Sequence, residues 1–141
     1  MSPTGVITIL AVEDEPSVLG VIRLTLERAG YRVLAATSAQ AAISLSMEHA
    51  ASIQLLLLDV VMPDLSGPEL RDRLQTHLGK PDIPTIFTSG YPDVFFESGQ
   101  TLLDKPFSPT DLLKAVQRGL AARKSPSSEK SLAILNRHSI A

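Results

Sequence analysis

The sequence predicts an α/β fold, a doubly wound parallel sheet of five strands with helices on both faces. Three observations carry that prediction. Short apolar runs alternate with segments of helical period along most of the 141 residues. The spacing between successive runs leaves room for a helix, the mark of βα units rather than hairpins. Several of the helical segments open on Ser, Thr or Pro start signals.

The first run, Val6-Ile7-Thr8-Ile9-Leu10-Ala11-Val12, is apolar on both faces, as a buried parallel strand requires. It stops at Glu13-Asp14-Glu15, and Pro16 suits the first turn of a helix. Val18, Ile22, Leu26 and Ala29 then recur at helical spacing, with Gly30 suited to the position after the helix end. Residues 31–36 read as a second strand. Thr37 and Gln40 have the spacing of a capping box for a helix to about His49.

Ile53-Gln54-Leu55-Leu56-Leu57-Leu58-Asp59 is the most apolar run and reads as the central strand. A loop follows, then Ser66 and Glu69 form a second capping box for a helix to about His77. Residues 83–88 read as a fourth strand, with Pro84 near its start where a missing N–H costs least. Ser89-Gly90-Tyr91-Pro92-Asp93 has loop chemistry, and 94–100 is long enough for only two helical turns. Thr101-Leu102-Leu103-Asp104 is a short fifth strand. Ser108-Pro109-Thr110-Asp111 opens a last helix with Leu112, Leu113, Val116 and Leu120 on its apolar side.

Composition excludes several function classes. There is no cysteine, hence no disulfide, thiolate metal site, iron–sulfur cluster or cysteine nucleophile. The imidazoles of His49, His77 and His138 are too scattered for a zinc site. No apolar run approaches a membrane span, and no signal peptide is visible, so a cytoplasmic, membrane-free protein is expected. Residues 1–112 carry 7 Lys/Arg against 14 Asp/Glu, whereas 113–141 carry 6 Lys/Arg and only Glu129. An acidic body without a reader motif argues against direct nucleic-acid binding. The organisation expected is one domain over 5–123 and a flexible basic tail over 124–141, leaving no room for an attached effector domain.

In an open parallel sheet, ligands bind at the carboxyl ends of the strands. Here strand one ends at Glu13 and Asp14, strand three at Asp59, strand four at Thr88 and Ser89, and strand five at Asp104 and Lys105. Any one of these could be an ordinary solvated loop residue, and Asp104 reads that way. Their common register on one edge points instead to a site. Three clustered carboxylates repel unless a cation or Lys105 compensates, and a hard, oxygen-loving divalent ion such as Mg²⁺ suits them. Carboxylate, hydroxyl, lysine and Mg²⁺ together make a phosphoryl-transfer site with the carboxylate as nucleophile.

Four motifs closely resemble the receiver domain of two-component response regulators, over about residues 5–123. They are Val12-Glu13-Asp14-Glu15-Pro16, the run from Leu57 to Gly67 with Asp59, Met62 and Pro63, then Pro84-Thr85-Ile86-Phe87-Thr88-Ser89-Gly90-Tyr91, and Asp104-Lys105-Pro106-Phe107. The resemblance implies a flavodoxin-like (βα)₅ three-layer sandwich. It implies Asp59 as phosphoacceptor, and Glu13, Asp14, Asp59 and the backbone carbonyl of Val61 as Mg²⁺ ligands. It implies Ser89 as the hydroxyl that moves onto the phosphoryl group, Lys105 as its cationic partner, and a Lys105–Pro106 bond that is often cis. The implied phosphodonor is a histidine kinase or histidine phosphotransfer protein. The resemblance further implies output to a downstream protein through the 94–100 helix, the fifth strand and the last helix, and it allows a phosphorylation-dependent homodimer.

Two departures from the family pattern stand out. The position three residues before the lysine, usually an aromatic switch, is Leu102, and the stretch between Ser89 and Lys105 is short, as in receivers of hybrid sensor kinases and some stand-alone receivers. An apolar Val61 and a bulky Tyr91 would orient an attacking water poorly, so slow self-dephosphorylation is expected. Two other classes fit these residues less well. A haloacid-dehalogenase-like phosphatase needs an acid two residues after its nucleophile, where this chain has Val61. A degenerate receiver used only for docking would not need the full set of Glu13, Asp14, Asp59, Ser89 and Lys105.

Overall fold

The structure, a computed structural model, describes residues 5–90 and 101–124. Its elements in chain order are β1 (Thr8–Val12), α1 (Pro16–Arg28), β2 (Arg32–Ala36), α2 (Ala39–Glu48), β3 (Ile53–Asp59), α3 (Gly67–Leu78), β4 (Thr85–Ser89), β5 (Thr101–Asp104) and α4 (Pro109–Lys124). The five strands form one sheet in the order β2-β1-β3-β4-β5, every neighbouring pair parallel. The strand order reverses beside β1 and β3, which opens a crevice at their carboxyl ends. The expected helical turns over 94–100, Tyr91 and the tail beyond Lys124 lie outside the described residues.

Strand side chains alternate between faces, and the two faces build two cores. Leu10, Val12, Leu56 and Leu58 pack with Leu70, Leu74 and Phe87 under α2 and α3. Ile9, Ala11, Leu55 and Leu57 pack with Ile22, Leu26 and Val116 under α1 and α4. This explains why β3 tolerates a leucine run: each successive leucine fills the opposite layer. Leu112, Val116 and Leu120 of α4 are buried as the pattern predicts.

Three local readings are corrected. The cap of α2 is Ser38, not Thr37; its extended backbone aims Oγ at the Ala41 N–H, 3.1 Å away. On α1, Leu19 is buried, whereas Ala29 is the exposed C-cap and Gly30 turns the chain at φ 98°. The fourth strand starts at Thr85 and extends through Ser89, because Pro84 has no N–H to give the ladder and contributes only its carbonyl, which accepts from Leu56 N–H at 2.9 Å. The Ser66–Glu69 capping box at α3 forms in both directions, at 3.1 and 3.2 Å. Ser108 and Asp111 cap α4 in the same reciprocal way.

Candidate functional site

The carboxyl edge of the sheet collects five of the expected side chains. Glu13 follows the last residue of β1, and its main chain continues the ladder by donating to Ala36 O at 3.1 Å. Its carboxylate is fully buried (0% exposed), and Oε2 accepts from Glu15 N–H at 3.1 Å. Asp59, the last residue of β3, is 4% exposed, and its Oδ1 accepts from Val61 N–H at 3.3 Å. Asp14 is half-buried beside them. Lys105 follows β5 and is held there by its N–H, which donates to Ser89 O at 2.7 Å. Its Nζ reaches back over the edge to Glu13 Oε1 at 2.8 Å and Asp59 Oδ2 at 3.2 Å. The Lys105–Pro106 peptide is cis.

Ser89 lies on the same edge, buried, paired in register with Asp104, one residue beyond the Thr88–Asp59 pair. Val61 leaves the edge and is 51% exposed. Asp104 is exposed, as a surface acid should be, and Leu102 is half-buried against the core under α2 and α3.

The electrostatics follow from this crowding. Burial pushes the Asp59 carboxyl up to about 6, and the neighbouring Glu13 charge adds to the rise; Lys105 and the Val61 N–H pull the other way without winning. For Lys105, burial acts to lower the pKa, but the Glu13 and Asp59 carboxylates more than offset it, so the ammonium is held charged above the ordinary lysine range.

The donor set fits a hard divalent cation. One oxygen each from Glu13, Asp14 and Asp59 lies within 4.8 Å of the others. Oxygens on an octahedral Mg²⁺ are separated by about 3 Å when adjacent and about 4 Å when opposite, given metal–oxygen distances of about 2.1 Å. Only a small closure is needed. Glu13 Oε1 is a second sign of fit: it is buried, has Lys105 as an ion-pair neighbour, yet accepts no directed hydrogen bond. A buried carboxylate oxygen in that condition has coordinating capacity to spare.

Two residues contribute more than the sequence indicates. Gly67 is the first residue of α3, and a Cβ on it would fall 2.5 Å from the Asp59 carbonyl oxygen and 3.0 Å from Val60 Cα. The absent side chain lets the Gly67 N–H donate to Val60 O at 2.8 Å, directly beneath the acidic edge. A glycine between a cap serine and Pro68 was the available sequence signal. Asp64 reaches α2, 24 and 25 residues away in the chain, and nothing in the local pattern announces it.

Beside Lys105 a cleft of about 500 Å³ is lined by Glu15, Ser17, Val18, Val21, Pro106 and Phe107. Val21 and Leu24, one turn apart on α1, are both more than half exposed. Among the described residues, no helix is long and apolar enough to cross a membrane.

A family model for the response regulator receiver domain matches residues 9–117. The sensor kinase CckA of Brucella abortus (strain 2308) is 37% identical over 125 residues, which cover 83% of this chain and 13% of that protein. The phosphate regulon transcriptional regulatory protein PhoB of Pseudomonas aeruginosa is 38% identical over 120 residues, covering 79% of this chain and 52% of that one. The solved receiver domain of the hybrid histidine kinase CckA superposes with a TM-score of 0.71 at 38% identity, covering 80% of this chain and 98% of its own. A response regulator receiver domain protein from Clostridium thermocellum gives 0.75 at 27% identity, covering 84% and 98%. The chain thus spans about half of PhoB and a small part of the CckA kinase.

Proposed function

This chain belongs to the response regulator receiver domain family of two-component signalling, and we propose that it accepts a phosphoryl group on Asp59 from a histidine kinase or histidine phosphotransfer protein. One observation carries the reading. Lys105 Nζ lies 2.8 Å from Glu13 and 3.2 Å from Asp59 at the same strand-end edge that gathers three carboxylate oxygens within 4.8 Å.

In the proposed step an Asp59 carboxylate oxygen attacks phosphorus in line. The new O–P bond forms as the N–P bond to the donor imidazole breaks, and the imidazole nitrogen leaves with the bonding pair. Glu13, Asp14, Asp59 and the Val61 carbonyl would hold Mg²⁺, which when bound neutralises charge on the transferring oxygens. Lys105 supplies a fixed positive charge to those oxygens, and its raised pKa keeps it protonated throughout. The Ser89 hydroxyl donates to the bound phosphoryl group, drawing the end of β4 toward Asp59. The half-exposed apolar face of α1 and the cleft beside Lys105 suit a partner helix delivering its phosphohistidine.

The protein acts as a regulatory switch rather than a turnover enzyme, in the cytoplasm, with output through β5, α4 and the segment between β4 and β5. Incubation with Mg²⁺ and acetyl phosphate tests the central claim. Wild type should gain one hydroxylamine-sensitive phosphoryl group by intact mass, and Asp59→Asn none. Absence of the adduct on wild type, or its persistence on Asp59→Asn, rejects Asp59 as the acceptor.

A further inference from the structure

The loop between β3 and α3 carries Val61, the proposed backbone ligand, and its two ends are fixed by main-chain contacts. Val60 N–H donates to Thr88 O at 2.9 Å, and Gly67 N–H donates to Val60 O at 2.8 Å. Met62 is buried in the core under α2 and α3 and anchors the inner side. Among the described residues, the hydrogen bonds that reach from 61–65 to an element other than β3 are both made by Asp64. Its Oδ1 accepts from Ala39 N–H at 3.3 Å and its Oδ2 from Gln40 N–H at 3.2 Å.

These two N–H groups belong to the first turn of α2, whose leading amides have no partner within the helix. Ser38 Oγ satisfies Ala41 N–H at 3.1 Å. The first three amides of α2 are therefore capped together, one by the local serine and two by a carboxylate from the phosphoacceptor loop. Charge favours the arrangement, since an anion at a helix N-terminus meets the positive end of the helix dipole. The geometry also uses both carboxylate oxygens, which fixes the loop in two directions rather than one.

We propose that Asp64 is a positioning residue for the cation site: by clasping the N-terminus of α2 it holds the 61–65 loop, and with it the Val61 carbonyl that would complete the ligand set of Glu13, Asp14 and Asp59. The inference rests on the reading of the site as Mg²⁺-binding. Ser38→Ala is the informative control, because it loosens the same helix end without touching the loop.

The test measures Mg²⁺ affinity by calorimetry on the full chain, then the acetyl phosphate reaction as Mg²⁺ is raised. Asp64→Ala should weaken Mg²⁺ about three- to tenfold, less than typical losses at buried supporting residues because Asp64 is exposed. Its phosphorylation rate should fall at low Mg²⁺ and recover at saturation. Asp64→Asn, which keeps one acceptor, should stay within about twofold of wild type. Ser38→Ala should bind Mg²⁺ like wild type. Unchanged affinity in Asp64→Ala overturns the proposal, and so does an equal loss in Ser38→Ala, which would reduce the clasp to helix stability. A wild-type chain that binds no Mg²⁺ overturns the underlying reading as well.

Discussion

Removing the Asp59 charge should stabilise the metal-free protein. Asp59 has its pKa raised from 3.8 to about 6, first by burial and then by Glu13. Asparagine mimics the neutral carboxyl in size and can still accept from Val61 N–H. Below pH 3.8 the group is protonated in both folded and unfolded chains, and the favourable folded environment for the neutral acid is fully expressed. Between 3.8 and about 6 the unfolded chain ionises while the folded one resists, so stability falls as pH rises. Above that window the loss is complete. At about 1.4 kcal/mol per unit of pKa, the full difference is about 3 kcal/mol. Asp59 touches Lys105 and lies beside Glu13, so part of the difference belongs to the cluster rather than to one residue, leaving about 1–3 kcal/mol for the substitution. That corresponds to a rise in Tm of about 3–10 °C for a domain of this size. The assay is thermal unfolding of wild type and Asp59→Asn in EDTA at pH 8 and pH 4.5. Asn should be the more stable at pH 8, with the gap cut to about a third at pH 4.5. Mg²⁺ at a hundred times its Kd should add about 2.7 kcal/mol to wild type and much less to the variant. A wild type more stable than Asp59→Asn at pH 8 without metal, or a gap indifferent to pH, would show that the buried Asp59 charge is not a cost to the folded protein.

Other expectations follow from the same edge. Lys105→Ala leaves the buried Glu13 carboxylate without its ion-pair neighbour, and should cost about 2–4 kcal/mol in urea unfolding at pH 8 without metal, as well as most of the phosphorylation rate. Gly67→Ala drives a methyl into the Asp59 and Val60 main chain, so a loss of about 1–3 kcal/mol is expected together with slower phosphorylation; a neutral result would mean that the α3 start can shift freely. Val61 is half-exposed and apolar two residues after the proposed acceptor, so phospho-Asp59 in purified protein with Mg²⁺ should persist for many minutes. A half-life of seconds would show that water is oriented by some other group.

What the sequence made legible divides along a physical line. Periodicity reports burial, and the alternating leucines of β3, the apolar side of α4 and the order of βα units were all readable from it. Strand ends report where polar side chains gather, and that alone places Glu13, Asp14, Asp59 and Lys105 on one edge. Contacts set by long-range packing were not readable. Asp64 is an unremarkable loop acid until α2 is packed beside it, and Ser38 rather than Thr37 is the cap because the helix begins at Ala39, which leaves Ser38 as the extended residue whose Oγ meets Ala41 N–H. Gly67 was visible only as part of a motif, since the need for a missing Cβ arises from the return of α3 beneath Asp59.

These contacts give the edge an asymmetric support. Beneath it, Leu55, Leu56, Leu57 and Leu58 are essentially inaccessible and packed in both layers, so the backbone that bears Asp59 cannot move cheaply. Above it, repelling carboxylates are balanced by one lysine, and the Val61 loop is held by a pair of hydrogen bonds to α2, one partly buried and one exposed. Added charge at Asp59 therefore cannot be absorbed by the strand. It has to be accommodated by the groups around it: Lys105 and the start of α4 on one side, the end of β4 at Ser89 on another, and the Asp64 clasp on the third. The two former routes lead to the proposed output face, whereas the third leads to α2 on the opposite side of the sheet from α4. A clasp that holds under phosphorylation would confine the response to the β4–β5–α4 side. A clasp that yields would carry it to α2 as well, and amide exchange at Ala39 and Gln40 with and without beryllofluoride separates the two, because those amides lose their acceptors only in the second case.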